Sequence, residues 1–121
     1  ARNRQANSDQ RIVRKGHHRL SCDAMRWNVL YLPLRSCSVD AVVSDLPFDM
    51  KCKMKKQDFP VLFKEIFRVM RVGARAVLLV RWKNLLLKVI EKSDFSIAVD
   101  RNIDVCVGGA IVTLFVLLKN K

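Results

Sequence analysis

Val39-Asp40-Ala41-Val42-Val43-Ser44-Asp45-Leu46-Pro47-Phe48 is the stretch that decides the reading of this chain. It opens as a short run rich in β-branched side chains, the composition of a strand buried in a parallel sheet. Pro47 has no N–H to give to a ladder, so the strand must stop near Asp45. A carboxylate, a fixed backbone bend and an aromatic ring therefore gather at the carboxyl end of a strand. In open α/β sheets that end is where ligands bind.

These three groups suit chemistry at an exocyclic amine. Such an amine on a nucleobase is a poor nucleophile, because its lone pair is delocalised into the ring. A carboxylate at Asp45 accepts one N–H and a carbonyl of the Leu46-Pro47 bend accepts the other, which turns the lone pair toward an electrophilic methyl group. The rate gain of such an arrangement comes mostly from positioning. Phe48 offers a face on which an extruded base stacks. The structural alternatives stay open at this point: Asp45 as a polar strand-end residue capping the next turn, and Phe48 as packing beneath the loop.

Asp45-Leu46-Pro47-Phe48 resembles the Asp-[Pro/Leu/Ile]-Pro-[Tyr/Phe] signature of amino-directed methyltransferases that depend on S-adenosyl-L-methionine (SAM). A wider series comprises Leu32-Pro33-Leu34-Arg35, Ser38 through Phe48, Arg75-Ala76-Val77-Leu78-Leu79, Val105-Cys106-Val107-Gly108-Gly109 and Val116-Leu117-Leu118. In order and spacing it resembles the catalytic domain of THUMP-domain RNA guanine-N2 methyltransferases, over roughly residues 25 to 119.

The resemblance implies a Rossmann-like fold and SAM as cofactor. It implies guanosine N2 as the acceptor, in tRNA or a small nuclear RNA, with Asp45, Leu46, Pro47 and Phe48 as catalytic residues. Asn28 stands where the family usually carries an acid that contacts the adenine of SAM, and its amide oxygen still accepts a hydrogen bond. Asp49 stands where glycine usually follows the motif, adding bulk and charge. A small zinc-binding activating subunit is implied as well, pairing with an exposed strand edge for which Met25 to Tyr31 is expected. The implied location is cytoplasmic or nuclear.

The family's catalytic domain opens with a strand and a glycine-rich turn that approaches the methionine part of SAM. The glycines here are Gly16, Gly73, Gly108 and Gly109, and none sits in a G-x-G setting. The expectation is the C-terminal part of a methyltransferase domain over residues 21 to 121, its N-terminal strands missing, inactive alone. The alternative is a non-catalytic truncated or degenerate paralogue that binds RNA only electrostatically. Residues 1 to 20 read as an irregular basic segment.

A chain of 121 residues, 50% of them hydrophobic, is long enough for one small domain with a core. Lys and Arg number 23 against 11 Asp and Glu, a formal net charge of +12, which favours an anionic partner and nucleic acid first. Lys51, Lys53, Lys55 and Lys56 lie in the loop from Leu46 to Asp58, beside the motif, and are the expected phosphate contacts; the alternative is an ordinary solvated loop. Cys22, Cys37, Cys52 and Cys106 form no C-x-x-C pair and have no ligand spacing to His17-His18, so no metal site is expected. Scattered thiols fit a reducing compartment. The apolar run from Ala110 to Leu118 is too short to span a membrane.

The remaining elements follow from periodicity. Met25 to Tyr31 reads as a short strand. Phe59, Leu62, Phe63, Ile66, Phe67 and Met70 form one face of a helix over Phe59 to Arg71, with Asp58 as N-cap and Gly73 as its stop. On that helix Arg68 and Arg71 read as solubilising. Ala76 to Val80 is a buried strand, and Trp82, Leu85, Leu86, Val89 and Ile90 face inward from a second helix. Ile97 to Val107 alternates as a half-exposed strand, and Gly108-Gly109 turns it into a last strand, Ala110 to Leu118. The order argues for an α/β sheet, mostly parallel with an antiparallel C-terminal hairpin.

Overall fold

The computed structural model describes residues 21–46 and 55–121. Strand β1 (Val39–Asp45) is followed by a 3-10 turn (Lys56–Asp58) and helix α1 (Phe59–Val69). Strand β2 (Met70–Val80), helix α2 (Lys83–Lys92), strand β3 (Ile97–Val107) and strand β4 (Ala110–Lys119) complete the order. They form one four-stranded sheet in the order β1-β2-β4-β3. β1 lies parallel to β2, and β4 runs antiparallel to both β2 and β3. Three strands thus point one way, and the most apolar segment returns against them into an inner slot. The return is made by Gly108 and Gly109 at φ +56° and +84°, left-handed values that glycine adopts without a Cβ clash.

Both helices cover one face of the sheet. Phe59, Leu62, Phe63, Ile66 and Phe67 of α1 pack with Ala74, Ala76, Leu78 and Val80 of β2 and with Phe115 and Leu117 of β4. Leu86 and Val89 of α2 join them. Burying aromatic and aliphatic side chains of this size stabilises by about 2 kcal/mol each relative to exposure, which is what holds a sheet this small to two helices.

The boundaries differ from the periodic reading at α1. The helix ends at Val69, and Met70 turns extended (φ −64°, ψ 131°), so β2 begins without a loop and six residues ahead of Ala76. Gly73 does not stop the helix. At φ +88° it sits inside β2, where the register jumps from Val39↔Met70 to Ala41↔Arg75. The extra β2 residues bulge, and glycine supplies the left-handed conformation that the bulge needs. Asp58 does not cap α1 with its side chain; it accepts the Lys55 N–H at 3.1 Å instead.

Met25 to Tyr31 is not a strand. Asn28 takes the local backbone into a turn: its Oδ1 accepts the Leu30 N–H and its carbonyl accepts the Tyr31 N–H, each at 3.0 Å. A short amide side chain that captures the backbone two residues on competes directly with a ladder. Met25, Trp27, Val29 and Tyr31 are all exposed, so the alternating pattern buries nothing.

Arg68 is not a solubilising residue. Its guanidinium donates to the Leu34 carbonyl at 2.9 Å, the Leu32 carbonyl at 3.0 Å and the Ser36 hydroxyl at 3.2 Å. It also forks onto Glu65, which in turn accepts the Leu32 N–H at 2.8 Å. The segment ahead of β1 is thereby stapled to α1. The Arg68 hydrogen bonds hold the Glu65 carboxyl below its usual range, against the opposing effect of its burial. Arg71, the other expected solubilising residue, is exposed and pairs with Asp40.

Arg68→Leu is expected to speed amide exchange at Leu32 by roughly tenfold while leaving the Phe63 amide unchanged, since only the clamp is removed. In the unaltered protein the Glu65 contribution is complete above the ordinary glutamate range near 4.3. It is lost as pH falls through the lowered folded value. Exchange at Leu32 should therefore report the clamp's loss only in that acidic window.

Candidate active site at the carboxyl edge of the sheet

β1 delivers Asp45 as its last residue, in register with Leu79 of β2. The next residue is still tied to the sheet: the Leu46 N–H donates to the Leu79 carbonyl at 3.2 Å, and Leu46 is buried. The Asp45 side chain, one residue earlier on the opposite side of the pleat, is exposed. A fixed backbone thus presents a solvent-facing carboxylate, the arrangement that a positioning role requires.

At this end of β1 lies an apolar cavity of about 290 Å³, which the neighbours of Asp45 line and Asp45 itself does not. Val29 and Leu32 form one wall, Ser44 and Leu46 another, and Leu62 and Ile66 of α1 the floor. Residues on both sides of Asp45 in sequence therefore line it. Aliphatic walls of this kind suit the flat face of a nucleobase, with polar specificity coming from the rim. Asn28 precedes Val29 in the chain and is exposed. Its Oδ1 accepts the Leu30 N–H, and an amide oxygen carries a second lone pair beside the two N–H groups of its nitrogen.

Of the expected basic residues, Lys55 and Lys56 are both exposed. Lys56 places its ammonium 5.8 Å above the Trp82 ring. Pro47, Phe48, Asp49, Lys51 and Lys53 lie outside the described residues, as does the segment 1–20. The site therefore brings together Asp45, Leu46 and the wall that follows Asn28. Lys56 opens onto a separate cavity of about 300 Å³, lined also by Arg81, Trp82, Lys83, Asn84 and Leu85. Helical periodicity assigns Trp82 only an inward-facing place and passes over its basic neighbours. The available signal is the tripeptide Arg81-Trp82-Lys83 directly after a strand, an aromatic interleaved with cations.

Among the described residues, no three His, Cys, Asp or Glu side chains group as metal ligands. No described helix is long and apolar enough to cross a membrane.

No protein-family model matches the chain. Curated relatives do. The chain is 35% identical over 99 residues to the tRNA (guanine(6)-N(2))-methyltransferase THUMP3 of Mus musculus, covering 73% of this chain and 20% of that protein. It is 44% identical over 57 residues to the U6 snRNA (guanine-N(2))-methyltransferase THUMPD2 of Bos taurus, covering 47% of this chain and 11% of that protein. Among solved structures, TrmN from Thermus thermophilus superposes with a TM-score of 0.61 at 20% identity, over 98% of this chain and 34% of the other, which shows a shared fold. The chain thus spans 20% of the length of its THUMP3 relative. By sequence, the aligned segment is similar to a part of the RNA guanine-N2 methyltransferases THUMP3 and THUMPD2.

Proposed function

We propose that this chain is the C-terminal part of the catalytic domain of an enzyme that transfers a methyl group from SAM to the N2 amine of a guanosine in RNA. The observation that carries the reading is the placement of Asp45 and Leu46. The first residues of the Asp-Leu-Pro-Phe motif stand at the carboxyl edge of the sheet, next to an apolar cavity. The relatives' names supply the substrate class: tRNA for THUMP3 and U6 snRNA for THUMPD2.

The residues fit the adenine end of that cofactor, through the apolar walls at Val29, Leu32 and Leu46 and the Asn28 amide beside them. SAM, when bound, supplies the electrophilic methyl group. Asp45 accepts one N–H of the guanine amine, and a carbonyl of the Leu46-Pro47 bend accepts the other. The Asp45 carboxylate would take up the proton that the amine gives off on methylation and pass it to water. Phe48 stacks on the extruded guanine, and Lys51, Lys53, Lys55 and Lys56 draw in the phosphates.

The small zinc-binding activating subunit belongs to this proposal too. With no strand at Met25 to Tyr31, it would dock on the exposed Met25, Trp27 and Tyr31 side chains instead of pairing backbones. The high positive charge favours a second reading, a segment that binds RNA by charge alone.

Calorimetric titration with SAM separates the two readings. Saturable binding is the expected result for the protein that carries this segment; a folded sample of that protein that takes up no SAM would leave only the electrostatic reading.

A further inference from the structure

Arg81, Trp82 and Lys83 are placed by the chain itself. Val80 is the last residue of β2 and Lys83 the first of α2, so all three sit at the same carboxyl edge as Asp45. β1 and β2 are adjacent and parallel, with Asp45 opposite Leu79. At ordinary strand spacing and rise, the Arg81 backbone is about 8 Å from that of Asp45. Lys56 reaches the same place from the turn ahead of α1, its ammonium over the Trp82 ring. The three cations, the indole and the Asn84 amide surround one cavity of about 300 Å³, and among the described residues no carboxylate lines it.

The indole is fixed from below. It meets the Phe59 ring edge-on, centroids 4.7 Å apart at 78°, and Phe59 is buried in the core. The cavity therefore has a rigid aromatic floor and cationic walls. That combination recognises a phosphodiester within a single strand: charge binds the anion, and a wall rich in Arg and Lys is far more selective for phosphate than an aliphatic cleft.

We propose that Lys56, Arg81, Lys83 and Asn84 clamp the phosphodiester next to the guanosine presented to Asp45, with Trp82 as the floor of the clamp. This rests on the RNA methyltransferase reading and adds to it Arg81, Lys83 and Asn84, a substrate-backbone site outside the Leu46–Asp58 loop that Lys56 joins from the loop's end. By holding the neighbouring phosphate, the clamp sets which nucleotide reaches the carboxylate.

The test compares two double variants of equal charge. Arg81→Ala with Lys83→Ala empties the clamp. Lys88→Ala with Lys92→Ala removes two exposed lysines farther along α2. Binding of a short labelled single-stranded RNA is followed by fluorescence anisotropy between about 50 and about 200 mM salt. The clamp variant should bind roughly tenfold more weakly, and its log–log salt slope should fall by about 0.7, the value for one phosphate that is no longer neutralised. The Lys88/Lys92 variant should stay within roughly twofold of the parent. Equal behaviour of the two variants, or a parent that binds no RNA, would overturn the clamp.

Trp82 emission gives a second readout that needs no charge variant. In a Trp27→Phe background RNA should shift it, and an unchanged spectrum at saturation contradicts the proposal. SAM calorimetry on the same proteins keeps the two ideas apart. Retained SAM binding with no difference in RNA binding between the variants sinks the clamp alone, whereas failure of the protein that carries this segment to bind SAM sinks the methyltransferase reading.

Discussion

Replacing Asp45 with alanine is expected to abolish guanine-N2 methyl transfer in the protein that carries this segment, by about three orders of magnitude, while the fold survives. The rate argument is positional: without the carboxylate nothing fixes the amine lone pair toward the methyl carbon, and removing one preorganised hydrogen-bonding group from an active site typically costs about 10² to 10³ in rate. The stability argument is equally direct. Asp45 is exposed, and its place in the sheet is held by backbone pairing to β2, so the change should stay within about 0.5 kcal/mol. Asp45→Asn keeps one acceptor oxygen but loses the charge and should fall between the two. Single-turnover transfer from labelled SAM, with urea denaturation alongside, measures both effects. Near-normal turnover of Asp45→Ala would remove this residue from the mechanism.

The largest expected effect on stability is at the other end of the chain. Lys119 closes β4, yet it is only 1% exposed. Its ammonium donates to the Phe67 carbonyl in the last turn of α1 at 2.7 Å and to the carbonyl of Met70, the residue that follows the helix, at 2.6 Å. It also lies 3.6 Å from the Cys37 sulfur and 4.6 Å from the centre of the Phe95 ring. A buried cation is costly to desolvate, and here it is held by the negative end of a helix, two carbonyls and an aromatic face. Lys119→Met keeps most of the stem and removes the charge. It leaves two buried carbonyls without their donor and frees β4 from α1. The expected loss is about 3 kcal/mol in the urea midpoint analysis. A loss of about 0.5 kcal/mol, the value for an ordinary surface site, would show that the ammonium contributes nothing there.

Much of the fold is legible in the sequence because its signals are local. A β-branched run cut off by Pro47 announces β1, six apolar residues at helical spacing, five of them within the helix, announce α1, and Gly108-Gly109 announces the hairpin. What escapes depends on partners remote in sequence or on competition between equal local preferences. Met70 to Gly73 reads as a helix end because glycine commonly stops helices; only the β1 register reveals that Gly73 serves a bulge. Met25 to Tyr31 alternates like a strand, but alternation carries weight only where a sheet lies beneath, and the Asn28 side chain offers a nearer partner.

Arg68 stands on the polar side of an amphipathic helix, so periodicity assigns it to water. Its true partners, Leu32 and Leu34, lie more than thirty residues upstream. The site divides in the same way. Asp45 and Leu46 are readable from the motif, whereas Arg81 and Lys83 become neighbours of the motif only once β2 is laid beside β1.

Transfer to RNA in which inosine replaces guanosine tests the central claim most directly, because inosine differs in lacking the exocyclic N2 amine. Labelled methyl should enter the guanosine RNA at N2 and be absent from the inosine RNA. Equal labelling of both, or label on adenine, would contradict an Asp45-centred reaction at guanine N2.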